Sequence, residues 1–416
     1  MPEPRFVGHR PASTAFSHIR VAMFVAALAT FAQLYGIQPL MPTFAAEFGL
    51  DPATSALTMS LPAVGLGVAM LVAGPLSEVV GRTPLIHASL LGAAAIAVAC
   101  GLAPSWSLLL VLRTAQGVAL AGLSAVAMAY LSEEIHPDSL ARVAGVYVSG
   151  TALGGMSGRF VAGLLAQWLG WRGAIIGLGV LAVGAAVVVR LLLPGSEGFR
   201  PSAADPTALA LAGMRLMRDP ALVTLFAVGC TAMGTFVGLF NAVVFRLTGP
   251  PYGLPVGVVS LVFLVHVLGS ASSARAGRLA ATHGYRGVAP VGALILIIGV
   301  LVTLADPLPV VIAGAAIVSI GFFAVHGVAA PWVAARATYG VGATAQATAG
   351  YLFWFYLGSS VFGGLAPAAW TAGGWPLTVL LCAGLAVLTL ALTLILRRIP
   401  SLREPPVSDP GVLGYS

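Results

Sequence analysis

The sequence predicts an all-α polytopic membrane protein, with twelve transmembrane helices in two pseudo-symmetric six-helix bundles. Three observations carry that expectation. Of 416 residues, 59% are hydrophobic and only 8% are charged, whereas a soluble domain needs about 25% charged residues. Apolar runs long enough to cross a bilayer, about 20 residues each, recur twelve times along the chain. A charged stretch bounded by glycines, Gly74-Pro75-Leu76-Ser77-Glu78-Val79-Val80-Gly81-Arg82, returns in weaker form 203 residues later. There Gly277, Leu279 and Gly284 keep the spacing of Gly74, Leu76 and Gly81, and Ala281 stands in the acidic position.

Taken in order, residues 1–19 hold Arg5 and Arg10 among Pro2, Pro4 and Pro11 and read as a cytoplasmic tail. The apolar run behind them exceeds the core of a signal peptide, so the first span is read as uncleaved. Spans are expected at 20–42, 55–77, 84–103, 107–130, 142–168 and 172–193, forming an N-terminal bundle over 20–193. Six more, at 221–246, 256–276, 288–305, 308–332, 344–371 and 376–396, form a C-terminal bundle over 221–396. Between the bundles, 194–220 combines Gly195, Gly198, Pro201 and Pro206 with three acids and three arginines, the composition of a hydrated linker. Gly170-Trp171 before span 6 recurs as Gly374-Trp375 before span 12, a second echo between the halves. Residues 397–416, with Pro400, Pro405, Pro406 and Pro410, read as a disordered cytoplasmic tail.

Arginine placement sets the orientation. The chain has no lysine, and with the N-terminus inside, sixteen arginines fall in inner segments. Only Arg172 and Arg246 fall in outer ones, which puts both termini in the cytoplasm; the inner membrane is the expected location. The net charge of +7 is scattered singly, with no basic stripe, so no nucleic-acid partner is expected. Cys100, Cys230 and Cys382 lie far apart inside apolar segments and read as packing residues. No phosphate-binding loop, metal-ligand cluster or soluble catalytic domain appears, so neither enzyme activity nor a cofactor is expected. The expected partners are membrane lipid and a small-molecule substrate, with the chain acting as a monomer.

The opening stretch resembles the loop 2–3 signature of the major facilitator superfamily, Gly-x-Leu-x-(Asp/Glu)-x-x-Gly-Arg, with Glu78 in the acidic and Arg82 in the basic position. Val79 and Thr83 depart from that pattern. Span 4 reads Arg113-Thr114-Ala115-Gln116-Gly117, similar to the family's Arg-x-x-Gln-Gly motif. Span 5 reads Gly150-Thr151-Ala152-Leu153-Gly154-Gly155-Met156-Ser157-Gly158-Arg159 and resembles the glycine-rich motif of drug:proton antiporters, with Gly155 for a common proline and Arg159 for a glycine. Tyr35-Gly36-Ile37-Gln38-Pro39 and Phe322-Phe323-Ala324-Val325-His326 are similar to the sugar and drug efflux branch. The resemblance implies a secondary transporter with a central site between halves that alternates its access. It also implies that Gly74, Glu78, Gly81 and Arg82 form a cytoplasmic gate that stabilises the outward-open state.

Within that frame Arg113 is the most informative residue, since a buried arginine costs at least about 2.5–3.5 kcal/mol at mid-membrane. Gln116 and Gly117 share its helix face. Two readings compete: a polar face toward a solute, or a structural arginine bonded to neighbouring carbonyls. Arg159 poses the same choice in the outer half of span 5. With no acid well inside the spans, either the solute brings negative charge or dipoles and water neutralise the arginines. Tyr35, Gln38, Asn241, Trp354 and Tyr356 complete the candidate pathway. His266 and His326 are the candidates for proton coupling, against a role as helix-to-helix hydrogen bonders. Gly117, Gly150, Gly154 and Gly158 are expected to thin helices for close packing, including at rocking interfaces.

These readings predict a secondary transporter moving a small polar, anionic or amphipathic solute by alternating access, with export coupled to protons. The alternative is a proton-independent organic-anion exchanger or uniporter. A remote alternative is an intramembrane serine protease, from the local resemblance of Gly155-Met156-Ser157-Gly158 and His266-Val267-Leu268-Gly269 to the rhomboid pair.

Overall fold

Inside a bilayer every backbone N–H and C=O must find its partner within the protein, and a helix does this within one segment. The computed structural model describes residues 6–200, 206–340 and 343–400. Helix α1, Thr14–Tyr35, is capped by Ser13, whose Oγ accepts from the Phe16 N–H at 3.2 Å. It starts six residues earlier than expected and stops at Gly36. A 3₁₀ turn over Gln38–Leu40 and a short helix Met41–Phe48 continue the first span, because Pro39 lacks the N–H a continuous helix needs. Then come α2 (Leu57–Val80), α3 (Arg82–Gly101) and α4 (Trp106–Glu134). A 56-residue helix, Pro137–Leu192, breaks at Gly170 into α5 (137–169) and α6 (171–192).

The second half repeats the plan. It comprises α7 (Pro220–Thr248), α8 (Val256–His283), α9 (Tyr285–Val302) and α10 (Leu308–Gly340). The 55-residue helix Thr344–Arg398 breaks at Gly373 and Gly374 into α11 (344–372) and α12 (375–398). Among the described residues, ten helices are long and apolar enough to span. Counting each broken one as two gives the twelve crossings expected. Backbone handedness marks the repeat. Gly81 and Gly284 end α2 and α8 at φ 98° and 72°, while Gly170 and Gly374 divide the long helices at φ 66° and 65°. Only glycine takes these angles cheaply, so each turn recurs in the other half with the residue it requires.

Two expectations about loops change. Within 194–220, Pro206–Arg218 is a helix; Leu216 is buried while Met214 and Met217 stay half exposed, so an amphipathic segment replaces part of the hydrated coil. The N-terminal tail is docked from residue 6 onward. His9 N–H donates to the Glu134 carbonyl (2.8 Å) and His136 N–H to the His9 carbonyl (3.1 Å). The Glu134 side chain is fully buried and accepts from Gly198 N–H at 2.8 Å. The tail beyond residue 400 lies outside the described residues.

Among the described residues the halves pack closely at one end. Ser60, Gly67 and Gly74 lie seven residues apart on one face of α2, which packs on α11. Ser60 and Ser360 exchange reciprocal hydroxyl–carbonyl bonds of 2.8 Å. At Gly67 an added methyl would lie 3.3 Å from Tyr356 Cβ, and at Gly74 it would meet nothing within 4 Å. The α5–α8 pair behaves alike: Gly163 closes on Ser260, whereas Gly145 and Gly277 face open space. The bundle is therefore a wedge, shut near residue 38 and parted near Arg82.

Candidate functional site between the halves

The two membrane arginines are held in different ways. Arg113 is 2% exposed, and α4 aims it at the ends of α1 and α2. Its Nε donates to Thr58 O (3.2 Å), Nη1 to Gln33 O (3.2 Å) and Gln116 Oε1 (2.5 Å), and Nη2 to Leu34 O (3.1 Å). Gln116 Nε2 in turn donates to Gln33 Oε1 (3.0 Å) and Ala93 O (3.3 Å). Four of the five guanidinium N–H groups are used, three of them on carbonyls that α1 and α2 leave free. This is the geometry of the structural alternative: here Arg113 and Gln116 form a strut between helix ends. Gly117 lets α4 approach α2, since a methyl there would fall 2.1 Å from Pro62 O.

Arg159 is the opposite case. It is 3% exposed, but only Nε and Nη1 are engaged, on Gln38 Oε1 (2.5 Å) and Gly155 O (2.6 Å). The guanidinium lies 4.4 Å from the Tyr35 ring centroid and 5.1 Å from that of Phe263. Such stacking contributes about 0.5–2 kcal/mol and leaves the Nη2 donors free of hydrogen bonds. From Arg159 a polar chain crosses the halves. Gln38 Nε2 donates to Asn241 Oδ1 (2.7 Å), and Asn241 Nδ2 donates to Gly363 O (2.8 Å). Tyr35, Gln38, Arg159 and Asn241, scattered in sequence, thus meet where α1, α5, α7 and α11 converge.

His266 joins them through Phe263, whose ring centroid is 5.8 Å from its own. Phe236 and Phe240 enclose the imidazole at 4.9 and 4.6 Å. Its Nδ1 meets Ser319 Oγ at 3.1 Å, and its Nε2 is buried with no partner. His326 lies apart, half-buried, with Nδ1 2.9 Å from Tyr351 Oη and its ring 4.7 Å from Phe355. Tyr356 packs edge-on to Phe355 and against Gly67 of the other half. Trp354 touches Phe353 and does not join the cluster.

At the open end Arg82 binds Glu133 at 3.0 Å and also donates to Ser77. Glu78, the acidic residue of the expected cytoplasmic gate, makes no ion pair among the described residues. The glycine stripe is also reassigned. Methyls at Gly150, Gly154 and Gly158 would lie 2.7, 2.3 and 2.5 Å from Phe24 O, Leu28 O and Ala32 Cα, so the stripe cements α5 to α1 inside one half and borders no rocking interface. Ser157 donates weakly to Gly154 O at 3.5 Å, and the serine that meets His266 is Ser319, which removes the protease pair.

Sequence reasoning missed Gln33, Phe263, Ser319, the Ser60–Ser360 pair and the Phe236–Phe240 cage around His266. The repeat offset carried a usable signal: 203 residues separate Gln38 from Asn241, so these two amides occupy equivalent positions and meet about the pseudo-twofold axis.

Residues 23–360 match the model of the Major Facilitator Superfamily. The chain is 42% identical over 366 residues to an uncharacterised MFS-type transporter, YybF, of Bacillus subtilis (strain 168), covering 88% of this chain and 90% of that one. It is 38% identical over 360 residues to the inner membrane transport protein YnfM of Escherichia coli (strain K12), covering 86% of each. Among solved structures, a bacterial homologue of the human lysosomal transporter Spinster, inward-facing and unoccupied, superposes with a TM-score of 0.73. It shares 18% identity, with 94% of this chain and 96% of that chain covered.

Proposed function

This chain belongs to the major facilitator superfamily, and from that premise we propose that it exports a small polar, anionic or amphipathic solute by alternating access, in exchange for protons. It is a membrane transporter and not an enzyme. The observation that carries the solute class is Arg159, a buried cation with unspent donors between aromatic faces from both halves. An anion reaching Nη2 gains charge-assisted hydrogen bonds in a low-dielectric site, and flat apolar parts of an amphipathic solute stack on Tyr35 or Phe263.

The excess of arginines at the parted end supports a cytoplasmic placement of that end and of both termini, in the inner membrane. On that placement the wedge is inward-facing. The loose Glu78 agrees with this, because its family counterpart braces the opposite state. Proton coupling is assigned to His266, whose buried Nε2 lacks a partner beside the Arg159–Phe263 contact.

The test is transport in proteoliposomes with an imposed pH gradient, using solutes picked from organic acids, sugars and amphipathic drugs by thermal stabilisation. Wild-type flux should follow the gradient, and His266→Gln should lose that dependence while retaining solute binding. Flux indifferent to collapse of the gradient would sink the antiport reading. It would favour proton-independent anion exchange, a reading supported by the position of the carboxylates. Among the described residues the fully buried one is Glu134, at the cytoplasmic end of α4 instead of mid-span.

A further inference from the structure

We infer that Gln38 and Asn241 form the latch that holds the outer end shut, and that Arg159 anchors it so that an arriving anion releases it. The release step rests on Arg159 as the solute-binding group; the latch itself does not. Both amides are fully buried, each in the first span of its half, and they meet at pseudo-equivalent positions, as the surfaces of a symmetric dimer meet at its axis. A contact on the axis sits where rocking halves must first separate. The amides are neutral, so the latch breaks without exposing an unpaired charge. A salt bridge in the same place would leave two buried ions to rehydrate.

The anchor follows from acceptor strength. Gln38 Oε1 is a neutral amide oxygen bound to the Arg159 Nε at 2.5 Å, while Gln38 Nε2 holds Asn241. A carboxylate or phosphate is the stronger acceptor for a guanidinium. Once it takes the Nη2 and Nε edge of Arg159 as a two-point fork, Gln38 loses the Nε bond that orients its amide, and the 2.7 Å bond to Asn241 loses its support. Opening then exposes both amides to water, which satisfies them. The other hydrogen-bonded pair across the halves, Ser60 with Ser360, involves backbone carbonyls and no ionisable group, so it contributes closure without sensing the solute.

The experiment places spin labels at Trp168→Cys and Val258→Cys. These are 79% and 43% exposed, on the outer ends of α5 and α8, in a chain with Cys100, Cys230 and Cys382 replaced by alanine. Distances are measured in nanodiscs with and without benzoate as the anionic probe. Wild type should show mainly the short, closed distance. Gln38→Leu and Asn241→Leu should each enlarge the long-distance population by roughly five- to tenfold, the change expected for one buried hydrogen bond. The exchange variant, Gln38→Asn with Asn241→Gln, should restore closure, which a packing defect would not do. Closed distances in both leucine variants, with unchanged melting, overturn the latch. If benzoate opens wild type but not Arg159→Gln, the anchor stands. If the leucine variants open and benzoate does nothing to wild type, the latch stands while the anchor and the anionic reading of the site fall.

Discussion

The two halves solve one packing problem with different chemistry. In the N-terminal half, Gln33 and Gln116 join Arg113 in a hydrogen-bonded strut that ties α1, α2, α3 and α4. Shifted by the repeat of 203 residues, Gln33, Arg113 and Gln116 become Phe236, Ala316 and Ser319. There Phe236 stacks on Phe322 at 4.1 Å and borders His266, which binds Ser319. One half thus ties its arginine to its own helix ends, with Gln33 Nε2 left over at the edge of the strut, and the other wraps a histidine in rings and leaves its Nε2 without a partner. The contrast separates scaffold from site. Arg113, with four of its five N–H groups engaged, is held as scaffold, whereas Arg159 and His266, whose Nη2 and Nε2 are unengaged, are the groups proposed to meet solute and proton.

That contrast can be broken most severely at Arg113. Arg113→Leu strands carbonyls of Gln33, Leu34 and Thr58 and the side chain of Gln116. Breaking such a buried charged network costs about 3–5 kcal/mol, so the variant should show poor monodisperse yield and a sharply lowered melting temperature. Near-normal melting would demolish the strut. Arg159→Gln should do the reverse, keeping melting within a few degrees while transport of an anionic solute falls at least about tenfold, since one charge-assisted bond is worth about 1.5–3 kcal/mol. If the two arginines respond alike in both assays, the division between scaffold and site fails. Smallest is Ser319→Ala, which removes the single partner of His266 at a cost of about 0.5–1.5 kcal/mol. Stability should barely move, and the pH dependence of transport should shift. An unchanged pH profile would detach Ser319 from His266.

The architecture was legible because its causes are local. Apolar run length sets the spans, and glycine at 81, 284, 170 and 374 sets the turns, so most expected helices lie within a few residues of those found. The ends at Glu134, His283 and Gly340 ran longer than expected, since polar ends of a helix outside the apolar core carry no hydropathy signal. The site was half legible. Residue type identified Arg113 and Arg159 as exceptional, but only three-dimensional placement showed which had spent its donors. The glycine stripe has one spacing whether it faces its own half or the other, so its partner α1 could not be read from α5 alone.

The docked N-terminal segment has a practical consequence. His9 and Gly198 both hold on to Glu134, one through the backbone carbonyl and the other through the buried carboxylate. The start of the chain and the segment leaving the first half are thereby stapled to the same residue. A purification tag or fluorescent fusion placed just ahead of residue 6 pulls on that staple and, through it, on the strand of chain that carries the second half. Labels for assays of motion therefore belong at the other terminus.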